Sequence, residues 1–160
     1  MRLILFRHGL AVDRDIFIEQ KKDDALRPLT RRGIEKTQKM AQHLRGLIGD
    51  VQLLVSSPLV RAQQTAEVIG QHLDYEKFVE CSELVPQAPP QAFANWLKSQ
   101  AAHATSVLAV GHEPHLAVFA SWLLSGSVSS FLDLKKSGVV ILEVESFDLV
   151  GPRAAELKAL

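Results

Sequence analysis

Cysteine is almost missing from this chain: Cys81 is the only one in 160 residues, so no internal disulfide can brace the fold. It ends the stretch Phe78-Val79-Glu80-Cys81, which reads as a short strand, and an inert packing thiol is expected there rather than a reactive one. Net charge is missing as well. Eighteen Lys and Arg cancel eighteen Asp and Glu, which removes the overall attraction that nucleic acid or an anionic membrane surface would require. Nor is there a long apolar run: the stretch after Met1 is too short for a signal-peptide core or a membrane span, so a soluble, cytoplasmic protein is expected. No internal repeat or low-complexity segment occurs. What is present, 47% apolar and 22% charged residues, is the profile of one globular domain over residues 1–160, able to bury about two-thirds of its unfolded surface.

The richest stretch comes first. Leu3-Ile4-Leu5-Phe6 suits a strand buried on both faces, and it runs directly into Arg7-His8-Gly9. A strand ending there puts a guanidinium and an imidazole at its carboxyl end, where open α/β sheets bind ligands. His8 reads as a nucleophile, Arg7 as a planar fork of donors for phosphate oxygens, and Gly9 as the residue that lets the backbone turn close to a bound group.

Residues 10–27 show neither strand nor helix period and carry many charges, among them Asp13, Arg14, Asp23 and Asp24. A long loop with one helical turn, flanking the mouth of a site, is expected. Thr30 then offers an N-cap hydroxyl, and Ile34, Thr37, Ala41, Leu44 and Ile48 recur at helical spacing up to Gly49. Val51–Val55 reads as a buried strand, with Ser57 as N-cap and Pro58 as first residue of a helix running to about Leu73; Arg61 falls in its first turn. After a loop marked by Pro86, Pro89 and Pro90, Phe93, Trp96 and Leu97 stripe a third helix reaching about His103. Ser106–Val110 is another all-apolar strand, stopping at Gly111-His112-Glu113-Pro114. Pro114 opens a helix to Gly126, Val139–Val144 is a further strand, and an edge strand is expected near residues 154–157. Strands alternating with helices predict an α/β fold: three layers, α/β/α, with a mostly parallel central sheet.

That architecture brings Arg7, His8, Arg61 and His112 to one rim. A phosphoryl group in transfer spreads charge over three equatorial oxygens, so it needs several fixed donors and one in-line nucleophile. Arg61 lies beside a helix N-terminus, where amides favour anions. His112 would be a donor in its protonated form, a bound phosphate raising its pKa and the arginines lowering it, and a backbone carbonyl on one His8 nitrogen would leave the other free to attack. Taken singly, each residue also has an ordinary reading: a solvated Arg61, a His112 satisfied by turn backbone.

Together the motifs resemble the histidine phosphatase (phosphoglycerate-mutase-like) superfamily, and within it the short phosphohistidine phosphatase branch, the SixA type. The matching residues are Arg7-His8-Gly9; Pro28-Leu29-Thr30 with Gly33; Ser56-Ser57-Pro58-Leu59-Val60-Arg61-Ala62 with Gln64-Thr65-Ala66; and Gly111-His112 with Pro114. The resemblance implies a phospho-His8 intermediate, a phosphate pocket made with Arg7, Arg61 and His112, a family position at Thr30 that here also caps a helix, and no metal or organic cofactor. Many relatives carry a glutamate that protonates the leaving group; Glu83 lies in that region, with Glu113 and Asp13 as weaker candidates. Lys135 and Lys136 match lysines of similar short-branch sequences and would rim the pocket. His112 and His115 could share a helix face, but with no thiolates and no third ligand a zinc site is not expected. The substrate implied is a phosphorylated protein, with phosphohistidine hydrolysed through His8. The alternatives are a small phosphorylated substrate for a phosphomonoesterase or mutase, a phosphate-binding module without turnover, and a metal-dependent hydrolase.

Overall fold

The computed structural model describes residues 1–160. Its centre is a six-stranded sheet in the order β3-β2-β4-β1-β5-β6. The strands are β1 (Arg2–Arg7), β2 (Val51–Ser56), β3 (Tyr75–Glu80), β4 (Ser106–Gly111), β5 (Val139–Val144) and β6 (Ala155–Ala159). β3, β2, β4 and β1 run parallel, whereas β5 lies antiparallel to β1 and β6 antiparallel to β5.

Alternate residues of each strand point to opposite faces, and two cores result. Leu3, Leu5, Val107, Ala109 and Leu142 pack with Phe93, Leu97, Leu116 and Phe119 on one face. Ile4, Phe6, Leu54, Leu108 and Val110 pack with Ala41, Leu44, Ala66 and Ile69 on the other. The first face is therefore covered by α4 (Pro90–Gln100) and α5 (His115–Ser125), the second by α2 (Arg31–Ile48) and α3 (Val60–Gly70). This is the expected three-layer α/β/α arrangement with a mostly parallel sheet.

Local details depart from the periodicities in four places. The loop after β1 holds a real helix, α1 (Arg14–Glu19), capped by Asp13, and a 3₁₀ turn at Asp24–Leu26. In α2 the inward stripe starts at Gly33, while Ile34 is exposed; a Cβ at Gly33 would sit 2.1 Å from the Leu10 carbonyl oxygen, so only glycine allows that approach. Ser57 does not cap α3. Its amide donates to the Val110 carbonyl (3.0 Å), prolonging the sheet by one residue, and the helix starts only at Val60, without a side-chain cap. Finally, α4 stops at Gln100 and leaves the chain to turn through Ala101–Ala104 before β4.

Candidate active site

β1 and β4 are neighbours in register, Arg7 opposite Gly111, so the residues that follow them, His8 and His112, emerge side by side at the carboxyl rim. Their rings lie 4.9 Å apart between centroids. Both are buried, His8 to 3% exposure and His112 to 2%. The His8 backbone is held on two sides: its amide donates to the Gly111 carbonyl (3.0 Å) and its carbonyl accepts from the Ser137 amide (3.3 Å).

His8 Nδ1 lies 2.7 Å from the carbonyl oxygen of Gly9. A carbonyl only accepts, so Nδ1 carries the proton and Nε2 keeps its lone pair. Burial, then the charge of Lys136 and the neighbouring His112, push the His8 pKa down to about 2. The ring is a neutral, singly oriented base at any ordinary pH. Gly9 itself donates its amide to Thr65 Oγ1 (3.0 Å), and a Cβ there would meet Thr37 Oγ1 at 2.7 Å. The close approach of α2 and α3 to this turn thus requires glycine.

Arg61 is not a solvated surface side chain: it is 3% exposed. Its guanidinium donates from Nη1 to the Asp24 carbonyl (2.8 Å), and its Nη2 lies 3.2 Å from Asp24 Oδ2. Arg7 donates to the Leu134 carbonyl through Nη1. His112 Nε2 pairs with Ser57 Oγ at 2.8 Å. Burial, followed by the charges of Arg61 and Lys136, lowers the His112 pKa to about 3. In the free protein His112 is therefore neutral, because burial and the cations around it disfavour a further positive charge.

These side chains line a cavity of about 160 Å³, with nine titratable residues among its eleven, five of them Arg or Lys against Asp24 and Glu113. Three buried nitrogens around it, Arg7 Nε, Arg61 Nε and His112 Nδ1, have no hydrogen-bond partner. Buried polar groups left without partners are costly and uncommon. The two arginine Nε–H groups are donors, and His112 Nδ1 is a third in the tautomer in which Ser57 Oγ donates to Nε2. An oxyanion with several acceptors satisfies them together.

The chain's relatives agree with this geometry. The profile of the histidine phosphatase superfamily (branch 1) matches residues 3–85. This protein belongs to that superfamily. A protein of Picosynechococcus is 36% identical over 146 residues, covering 88% of this chain and 83% of its own. The phosphohistidine phosphatase SixA of Escherichia coli is 29% identical over 129 residues, 79% of this chain and 76% of its own. Among solved structures, a protein histidine phosphatase SixA complexed with tungstate superposes with a TM-score of 0.84 at 23% identity, over 99% of this chain and 95% of that one. A SixA structure from Nakamurella gives 0.81 at 24%, over 99% and 93%. Within the superfamily the chain is similar to SixA proteins in sequence and in fold, and membership supports phosphatase chemistry.

Not every expected residue reaches this histidine phosphatase cavity. Glu83 does not line it: the side chain folds back to accept from Ser82 Oγ (3.0 Å) and from the Cys81 thiol (3.3 Å), and the following chain reaches the cavity only at Pro86 and Gln87. Those hydrogen bonds and one from its own amide outweigh burial and pull its pKa down. Burial pushes the Cys81 thiol up, leaving it unreactive as expected. Thr30 also stays outside, accepting from the Gly33 amide (3.0 Å) and donating to the Leu10 carbonyl (3.1 Å). Lys135 is exposed beside Asp133. Asp13 caps α1. His115 is buried in the core, stacked on Phe119, and no group of three or more His, Cys, Asp or Glu is arranged around a metal position.

Glu113 and Lys136 do line the cavity. Burial raises the Glu113 pKa against the opposing charge of Arg7. Three charged lining residues were not offered as site residues by the sequence: Arg14, Asp24 and Arg27. Asp24 Oδ1 binds Arg27 Nε at 2.9 Å and lies 3.6 Å from Arg14 Nε, while Oδ2 faces Arg61. Burial works against its ionisation, but the Arg27 hydrogen bond and the surrounding guanidinium charges outweigh it, and its pKa falls. The only signal was the loop's density of charge. No helix of the chain is long and apolar enough to cross a membrane.

Proposed function

We propose that this protein hydrolyses phosphohistidine on a protein partner, with His8 as the residue that carries the phosphoryl group in transit. One observation supports this above all: the nucleophile sits in a cavity of about 160 Å³ whose unmet donors suit an oxyanion. Pockets that enclose small-molecule substrates run to roughly 300–1,000 Å³. This one has room for a phosphoryl group and its point of attachment, so the bulk of the substrate stays outside.

In the first step His8 Nε2 attacks phosphorus while the phosphorus–nitrogen bond of the substrate breaks, and the departing imidazole nitrogen takes a proton. Arg7, Arg61 and the His112 Nδ1–H hold the equatorial oxygens. Glu113 is the acid, in place of Glu83: it lines the cavity and is held protonated more readily than an ordinary carboxylate. In the second step Glu113 takes a proton from water, the water oxygen bonds to phosphorus, and the bond to His8 breaks. The ring leaves as neutral imidazole because Nδ1 kept its proton on Gly9. Asp24 keeps the Arg61 fork oriented through both steps.

The test offers the protein a phosphohistidine peptide and a panel of sugar phosphates, following phosphate release and acid-labile label on His8. Turnover of the peptide with label on His8 is the expected result. A strong preference for one sugar phosphate would replace the protein substrate by a small molecule, and label without turnover would replace the phosphatase by a phosphate-binding module.

A further inference from the structure

Lys136 touches the nucleophile in a way that charge attraction alone does not explain. Its Nζ lies 3.3 Å from His8 Nε2, the nitrogen whose lone pair must reach phosphorus. An ammonium has three donors and no acceptor, so it donates into that lone pair. The position is built rather than adventitious. Lys136 belongs to the turn before β5, and that turn is fastened to the Arg7-His8 dipeptide from several sides. Ser137 donates its amide to the His8 carbonyl (3.3 Å), and the Arg7 amide donates to the Gly138 carbonyl (2.9 Å). Ser137 Oγ pairs with Thr37 Oγ1 at 3.1 Å, in the core. Ser137 has φ 61°, a strained conformation for a residue with a side chain, and these contacts hold it there.

We infer that Lys136 is a substrate-displaced cap on the nucleophile: it occupies the His8 Nε2 lone pair in the free protein and transfers its hydrogen bond to a phosphoryl oxygen when the substrate enters. The inference rests on the reading of His8 as nucleophile. No bond is made or broken at Nζ, and its proton stays in place; only the acceptor changes, from Nε2 to an equatorial oxygen, which frees the lone pair for phosphorus. A flexible four-carbon stem permits that move, whereas the planar fork of an arginine would suit only one of the two positions. The transfer is favoured because a doubly charged oxyanion is a stronger acceptor than a neutral imidazole. The cap thus makes attack conditional on an anion being in place.

Burial and then the charges of Arg7, Arg27 and Arg61, opposed by Glu113, set the Lys136 pKa at about 8. Of the other titratable groups of the cavity wall, His8 and His112 are neutral, and Asp24 is engaged by Arg14, Arg27 and Arg61. At neutral pH the cap is therefore charged.

Nitrogen NMR of the imidazole rings tests the inference, with sulfate as probe because it is a tetrahedral dianion with no proton to donate. In the wild-type protein His8 Nε2 is expected at the position of a hydrogen-bonded lone pair. It moves downfield on adding sulfate, and drifts the same way as pH rises through about 8. In Lys136→Met and Lys136→Gln the resonance lies downfield from the start, and kcat/KM falls by roughly tenfold to hundredfold, less than the loss of a fixed oxyanion donor. The two substitutions guard against a folding failure of either. An Nε2 resonance that ignores both substitutions would overturn the cap. Turnover that is unchanged or faster in both would overturn the transfer to the phosphoryl oxygen. The NMR readout needs no substrate, so it stands apart from failure of the phosphohistidine assay.

Discussion

The two ends of the parallel strands carry the two most contrasting cavities of the molecule. At the amino end, a space of about 570 Å³ is lined by Met1, the residues after β5 and the start of β6. Two of its lining carboxylates, Glu143 and Glu156, make ordinary surface pairs with the neighbouring Lys158 (2.9 and 3.0 Å), whose side chain is 44% exposed. At the carboxyl end the space is only about 160 Å³, yet its walls hold two neutralised histidines, a depressed lysine and three buried nitrogens without partners. Size points to the wrong end. What distinguishes the site is desolvation: the same charged side chains that water screens at one rim are forced at the other to interact with one another.

Substitutions can sharpen or break that contrast. The largest effect is expected for His8→Ala, which removes the proposed nucleophile and should cost on the order of 10⁴-fold or more in kcat; full turnover by that variant would end the mechanism. Next comes Arg61→Met, expected to lose roughly 10²–10³-fold in kcat/KM, as for a single oxyanion donor. Restoration by Arg61→Lys should be poor, because a point charge cannot span both Asp24 contacts. Glu113→Gln should slow alkyl phosphate esters by about 10²-fold and phosphohistidine less, since imidazole leaves more readily than an alkoxide. Equal losses on both substrates would remove Glu113 from the acid role.

The smallest effects are expected away from the site. His115, three residues beyond His112, is equally buried, but it packs against Phe93 and Phe119. Burial alone lowers its pKa from 6.5 to about 4. The unfolded chain therefore binds a proton that the native state refuses, and stability falls as pH drops from 6.5 towards 4. His115→Phe should remove its share of that slope, at most about 1.4 kcal/mol per pH unit, while leaving turnover at neutral pH within a fewfold. Thermal unfolding at a series of pH values checks this, and an unchanged slope would show that His115 takes up its proton as readily in the native state as in the unfolded chain.

Much of the fold was readable along the chain because each strand is a continuous apolar run closed by a turn signal, and such a run has few other ways to bury itself. The rim positions of His8 and His112 follow from that pattern, as does the pairing of Arg7 with the first strand's end. Ser57 misled because its sequence context, Ser before Pro, is the signature of a helix start, while one extra sheet hydrogen bond to Val110 kept it extended. The sequence by itself determined the layers, the strand ends and the residue types available for phosphoryl chemistry, since these depend on local pattern and on spacing along the chain. Only the tertiary structure decided that Glu113 and not Glu83 lines the cavity, that Asp24 braces Arg61, and that Lys136 rests on the His8 lone pair. Those relations join residues far apart in sequence, and their energies depend on burial, which no local pattern encodes.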